Sequence, residues 1–487
     1  MASESQKTPQ HPVKVGLSCP ESFRKRGIYV VDTLFDVLGI PYRVVEEEKA
    51  ELDLYWGPPD SEVKSKIAIP LVSPEKWEGE DWEVVSIEGV PVLHIGEKPE
   101  RLYHENEQIV LGFDILSPFF FLLSRHEECA NPKRDEFGRF RARDSVLSRL
   151  NLLETPVLNI YSNLLREVFD KCGLPAGEPL WPEGKRFAVA LSHDVDIPRK
   201  TVPGSLRILF NQLLGNRELE GVGAFSQLGS VVDLLREKLT GGENPYWNFS
   251  KWMQLENGYG FESCFYLSCQ KRGEAKDPKY DLRTDRSLQE TVKKLLLSGF
   301  EVGLHGSFKS AREISALKGE KSLLEGLFDV DEVGIRLHYL KMEVPSTWRI
   351  QEEAGLVYDT TLGYPDEVGF RCGLAFPFRP YDLETERRLN ILELPLSIMD
   401  GAVFGKGHPD KDEVLSRCLQ LLERVEKGSG LAVILWHQRS WYERDFPGWR
   451  WVYEQVLSYL SEKEAWVTSP GEIAKWWKKR SGSVPTE

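Results

Sequence analysis

The residues of this chain best suited to chemistry are acids and histidines that each follow a short apolar run. The stretch FAVALSHDVD, Phe187 to Asp196, ends in His193, Asp194 and Asp196, and EVGLHGS, Glu301 to Ser307, carries His305. IRLH carries Arg336 and His338, and LAVILWHQRSW carries Trp436 and His437. Asp194 and Asp196 are two apart, so on an extended chain they leave one face and can converge on one ligand, as a metal ion and an attacking water would require. Taken singly, each signal has a plain alternative: a solvated strand end for the acids, a satisfied polar residue for each histidine. Only nine histidines are present, yet four of them, His193, His305, His338 and His437, close predicted strands of one region. That coincidence points to a shared site. His193 alternates with Asp194 and is expected to face away from it, in a structural hydrogen bond.

Such residues act together only if strands deliver them to one rim. Besides Phe187 to His193, strands are predicted at 262–267, 300–305, 333–338, 356–359, 390–396 and 432–437, with helices such as 285–297, 317–328, 345–353 and 411–427 between them. About seven strands joined by helical crossovers predict a parallel α/β sheet or closed barrel whose active face lies at the carboxyl ends of the strands. Ahead of it, strands at 13–18, 42–46, 52–56, 67–72, 82–87 and 90–95 and helices at 21–38, 112–128 and 151–170 predict a small α/β domain. Pro118 is tolerated if its helix starts near Ser117. The Gly- and Pro-rich GLPAGEPLWPEGK, Gly173 to Lys185, separates the two. The expected fold class is therefore α/β, with a parallel sheet or closed barrel over residues 181–487 preceded by a small α/β domain over 1–180. A polar insertion at about 198–244 holds two amphipathic pieces, Leu206 to Leu214 and Val231 to Leu239, and is expected beside any site at the strand ends.

The totals narrow the function. A chain of 487 residues, 41% hydrophobic, is long enough for two cores. A net charge of −14 without basic patches argues against nucleic-acid or anionic-membrane partners. No segment has about 18 uninterrupted apolar residues and the start lacks an apolar export region, so no membrane span is expected. Seven cysteines without a CxxC pair suit free thiols in a reducing compartment, and the expected location is cytoplasmic.

SHDVD, LHGS, IRLHY, LELPL and ILWH stand in the order and approximate spacing of the motifs of the polysaccharide deacetylases, metal-dependent hydrolases of the NodB-homology, carbohydrate esterase 4-like type. LVYDTTLGY resembles a further segment of that family, and the resemblance covers roughly Phe187 to Trp477. FFFLLSRHEE, DEFGRF and LLETPVLN resemble an uncharacterised domain that precedes such domains in some bacterial proteins. The resemblance implies that the C-terminal part, 181–487, is a deformed (β/α)7-8 barrel, and it implies a divalent metal, expected to be zinc, and a small-molecule or oligosaccharide substrate losing an acetyl group. It implies Asp194 as general base, Asp196 and His305 as metal ligands and His437 as general acid. Arg336 is then the charged partner of Asp194, and Tyr339 a substrate contact whose neighbouring backbone N–H stabilises the oxyanion. The family's second ligand histidine is missing, since Lys309 stands there, and His338, where the family has proline, is expected to supply the lost imidazole. Trp436, with Trp441, Trp449 and Trp451, is a candidate for stacking on sugar rings, although tryptophans mostly serve cores. Arg371 is a candidate substrate contact near the mouth, or a surface arginine. Asp359, Glu393 and Asp400 are left outside this set. Two other classes compete: a degenerate barrel that binds carbohydrate or regulates, which the absent histidine favours, and a glycosyltransferase using Asp194-Val-Asp196 as its DxD motif.

Overall fold

β-branched and aromatic runs build two parallel sheets. The computed structural model describes residues 11–481 apart from 47–50, 60, 73, 77–80, 176, 178, 207–223, 271–273, 275 and 406–409. The N-terminal sheet contains β1 (Val13–Leu17), β2 (Tyr42–Val44), β3 (Leu52–Gly57), β4 (Ser65–Pro70), β5 (Tyr103–Glu105) and β6 (Ile109–Leu111). Their spatial order is β2-β1-β3-β4-β6-β5, parallel except for the β5–β6 pair. β5 and β6 are short and polar-flanked and carry no clear alternation, so sequence pattern did not announce them. Strands at Glu83–Ile87 and Val90–His94 form a separate hairpin.

The expected helix over 112–128 is two: α1 (Ser117–Leu123), with Pro118 in its first turn, and α2 (His126–Ala130). The break falls at Arg125, which is left-handed at φ 52°. Its buried guanidinium turns back to Glu127 at 2.6 Å and Glu128 at 2.8 Å. The helix expected from residue 151 starts only at α3 (Val157–Lys171), behind Pro156.

The second sheet is organised by β7 (Phe187–Val195), nine residues buried throughout. Its carboxyl half pairs with β8 (Cys264–Leu267), its amino half with β14 (Ala465–Thr468), and its other edge with β13 (Leu431–Leu435), all parallel. From β8 the sheet continues through β9 (Glu301–Gly306), β10 (Ile335–Leu337), β11 (Tyr358–Asp359) and β11's neighbour Leu392–Glu393. From β13 it continues to β12 (Leu396–Met399). The two ends of this row, Leu392–Glu393 and β12, are separated in sequence only by Leu394 and Pro395. The sheet therefore curls round on itself into a deformed barrel. The single strand expected over 390–396 is split because Pro395 has no N–H to give to a ladder. β14 adds a strand the sequence reading did not list, which brings this sheet to nine.

Part of the insertion is described. A helix over Ala224–Thr240 includes the expected piece at Val231 to Leu239, whereas the piece at Leu206 to Leu214 lies outside the described residues beyond its first. Lys200, Ser230 and Tyr246 all hydrogen-bond Asp445, which docks the insertion beside the segment that follows β13. One continuous apolar cluster joins the cores of both sheets. None of the seven cysteines is in a disulfide, and among the described residues no helix is long and apolar enough to cross a membrane.

Candidate metal centre and its surroundings

Register brings the chemical residues to one level. Asp194 pairs with Tyr266 and Tyr266 with Gly303, so Asp196, directly after β7, comes level with His305 across β8, while His305 pairs with Arg336 and His338 directly follows β10. Alternation along β7 sends Ser192 and Asp194 inward and His193 outward. There His193 contacts the Trp436 carbonyl at 2.7 Å and Glu256 at 2.8 Å, the structural role expected of it.

Asp196 is the centre of the cluster. Its Oδ1 lies 3.2 Å from His305 Nε2 and 3.4 Å from His338 Nε2, and one ligand atom from each of the three lies within 4.8 Å of the others. Two donors each about 2.1 Å from one ion at a tetrahedral angle stand about 3.4 Å apart, so this donor set fits a divalent metal. The chemistry fits too, with two imidazoles and one carboxylate leaving a coordination position for solvent or substrate. His305 Nδ1 lies 3.0 Å from the Arg336 carbonyl, which can only accept, so the proton sits on Nδ1 and Nε2 offers its lone pair. His338 Nδ1 lies 3.7 Å from Asp277, too far for a hydrogen bond but near enough for that carboxylate to favour the same tautomer. Asp277 is itself fixed by the backbone N–H groups of Phe308 and Glu274.

Burial and charge compete at each group. Burial works against an ionised Asp196, but the His305 contact and electrostatic interactions with His338, Arg439 and His437 outweigh it, and the carboxyl sits well below its usual range. Burial lowers His338, partly offset by Asp196 and Asp277, so it stays neutral as a ligand must. His305 is pulled down by burial and up by Asp194 and Asp196, with a net rise. Asp194 lies 3.4 Å from Arg336 Nη1, which also donates to Ser192 at 2.7 Å. His437 Nε2 stands 3.5 Å from Asp196, while its Nδ1 and backbone N are both 2.7 Å from Asp400. Burial opposes charge on His437, yet Asp400 and Asp196 raise it to about 9.

Seven of the nine residues singled out from sequence therefore lie in or beside one cluster: Asp194, Asp196, His305, Arg336, His338 and His437, with Tyr339 at the rim, 38% exposed. Two do not. Arg371 is neither at the mouth nor on the surface; it is buried, in a two-pronged ion pair with Glu128 of the N-terminal part at 2.6 and 2.9 Å. Trp436 offers no face to a sugar, because Phe404 and Tyr453 pack on a ring that is fully enclosed. Lys309 points to solvent and pairs with Glu313 at 3.1 Å, away from the donors. Three contributors were missed. Arg439, 3.3 Å from Asp196, follows His437 by two residues and could have been read as its companion. Asp400 was noted but set aside, since its pairing with His437 spans two strands. Asp277 lies in a loop that carries no periodic signal.

Residues 16–173 match a family of unknown function, DUF7033. No curated protein matches the chain. Among solved structures, the chain is similar to one described as a polysaccharide deacetylase from Mycobacterium smegmatis, 17% identical with a TM-score of 0.42 over 63% of this chain and 94% of that one. Another so described, from Pseudomonas aeruginosa, is 15% identical with a TM-score of 0.40, covering 64% and 97%. A pseudoenzyme of the CE4 family from Bacillus anthracis is 11% identical with a TM-score of 0.31, covering 61% and 67%.

Proposed function

We propose that this chain is a metal-dependent hydrolase that removes an N- or O-acetyl group from an amino sugar or related carbohydrate, with its catalytic part beginning near residue 181. The observation that carries the reading is the convergence of Asp196, His305 and His338 on one point, flanked by a carboxylate held by arginine and a histidine held by aspartate. Asp196, His305 and His338 would hold a divalent metal, expected to be zinc, which would supply Lewis-acid polarisation of the acetyl carbonyl and acidify a water. Asp194, oriented by Arg336, takes the proton from the attacking water. His437, charged below about pH 9, gives a proton to the departing amine, without which an amide does not leave at neutral pH. Asp400 holds the His437 ring so that Nε2 faces the cluster. Arg439 reaches the same rim and is placed to hold a polar substituent of the substrate.

A second reading, a degenerate barrel that binds carbohydrate without turnover, draws on Lys309 standing where the family it resembles has its second histidine. The two are separated by metal content and acetate release from an N-acetylglucosamine oligomer. The hydrolase reading expects one metal per wild-type chain, loss of it in His338→Ala, and acetate release that stops in Asp194→Asn while the metal stays. A chain that holds metal and releases no acetate from N- or O-acetylated substrates supports the binding protein, and unchanged metal content in His338→Ala would remove His338 from the site.

A further inference from the structure

The turn that follows His338 is held in an unfavourable backbone conformation from outside the barrel. Tyr339 and Leu340 are consecutive non-glycine residues in the left-handed region, at φ 60° and 53°. Such residues persist only where their surroundings over-determine them, and they cluster at functional sites. Here the surroundings come from the N-terminal part. Arg139 donates from Nη1 to the Tyr339 carbonyl at 3.0 Å, and Phe137 stacks on the Tyr339 ring with centroids 4.9 Å apart and planes at 22°. In the other direction, Lys341 Nζ reaches the Gly138 carbonyl at 3.4 Å.

The loop that makes these contacts is rigid in its own right. The buried Asp135 carboxylate accepts from the backbone N–H of Phe137 at 2.9 Å and of Arg139 at 2.8 Å, and from Arg139 Nε at 2.8 Å. Gly138 is left-handed at φ 74°, and a Cβ there would stand 2.4 Å from Lys341 Nζ. This is the DEFGRF segment, to which the barrel chemistry assigns no task.

We propose that the Asp135–Arg139 loop positions His338: by clamping the Tyr339–Leu340 turn it fixes the imidazole in the metal centre, so the centre is complete only when the N-terminal part is docked. The inference rests on reading Asp196, His305 and His338 as that centre. Phe137 and Arg139 are then positioning residues, acting on the metal through the backbone of Tyr339 and not by contact with it.

The test is Zn²⁺ affinity of the full chain, measured by competition with a chromophoric chelator, for wild type, Arg139→Met, Phe137→Leu and Arg139→Lys. Loss of groups that orient a metal ligand typically weakens binding about 10- to 100-fold, and that is the drop expected for Arg139→Met and Phe137→Leu. The metal-free melting temperature is expected to stay at the wild-type value. Arg139→Lys keeps a donor for the Tyr339 carbonyl and is expected to recover most of the affinity. Arg143→Met, just beyond that segment and paired with Asp144, is expected to bind as wild type does. With Co²⁺ in place of zinc, the visible spectrum of Arg139→Met is expected to differ from wild type, a change that simple loss of stability would not produce. Should Phe137→Leu fail to fold, Arg139→Met decides alone. Wild-type affinity and spectrum in Arg139→Met would overturn the clamp, whereas a wild-type chain that takes up no zinc would overturn the metal reading itself.

Discussion

His437 and Asp400 set the pH behaviour of the cluster. Asp400 holds His437 charged up to about pH 9 against an ordinary value of 6.5. A raised value means the folded state binds the proton more tightly than the unfolded chain. Its stabilisation is therefore complete below about pH 6.5 and is lost as pH rises through about 9. Metal-free protein is accordingly expected to melt lower at pH 10 than at pH 7, by an amount that Asp400→Asn diminishes. In the metal-loaded protein, Asp400→Asn is expected to move the alkaline limb of the kcat profile to lower pH, because the acid then gives up its proton sooner. A limb that stays in place would take His437 out of the acid role. Lys309 supplies the opposite control. Its amine lies in solvent beside Glu313, so Lys309→Ala is expected to leave metal content at the wild-type level by elemental analysis.

At the scale of elements, the site depends on how closely its strands approach, and the tightest approach of β10 is at its amino end. Gly334, just ahead of β10, has no side chain because the ring of Tyr358 on β11 fills that space; a Cβ there would lie 1.9 Å from the ring. Gly334→Ala is expected to cost about 1 to 3 kcal/mol in urea denaturation, the usual range for overpacking, and to lower metal affinity by shifting the strand that ends in His338. A variant as stable as wild type would show that the ring relaxes freely. Strand positions were largely legible because apolar runs such as FAVAL and LAVIL bury on both faces and end abruptly in polar residues. The departures have local causes that a run of residue types does not display: Pro395 interrupts a ladder, and Arg125 breaks a helix to reach its two glutamates.

Across the whole molecule, the N-terminal part and the barrel share charged as well as apolar contacts. Glu128 accepts from both Arg125 and Arg371 with all three side chains buried. Burial would raise its carboxyl, but the two guanidinium charges outweigh that and hold it at about 2. The lowered value means this group stabilises the fold above about pH 4.5 and loses that contribution as pH falls toward 2. Arg371→Ala breaks a buried pair and is expected to cost about 3 kcal/mol by chemical denaturation, with a weaker acid dependence than wild type. The three motifs singled out in the N-terminal sequence all meet the barrel here. RHEE supplies Glu128, DEFGRF meets Tyr339, and LLETPVLN bonds Phe370, Gly373 and Ala375 through Leu153, Leu158 and Asn159.

The sequence by itself determined the parallel strands of the C-terminal part, the rim that gathers Asp194, Asp196, His305, His338 and His437, and the outward turn of His193, because strand alternation and abrupt strand ends are written in neighbouring residues. Only the tertiary structure decided that Asp400 and Asp277 serve those histidines, that Arg371 is an ion-pair partner and Trp436 a core ring, and that Lys309 faces solvent. Each of those facts depends on which side chains meet across strands or between the two parts of the chain. Such meetings are fixed by sheet curvature and docking, which spacing along one chain does not encode.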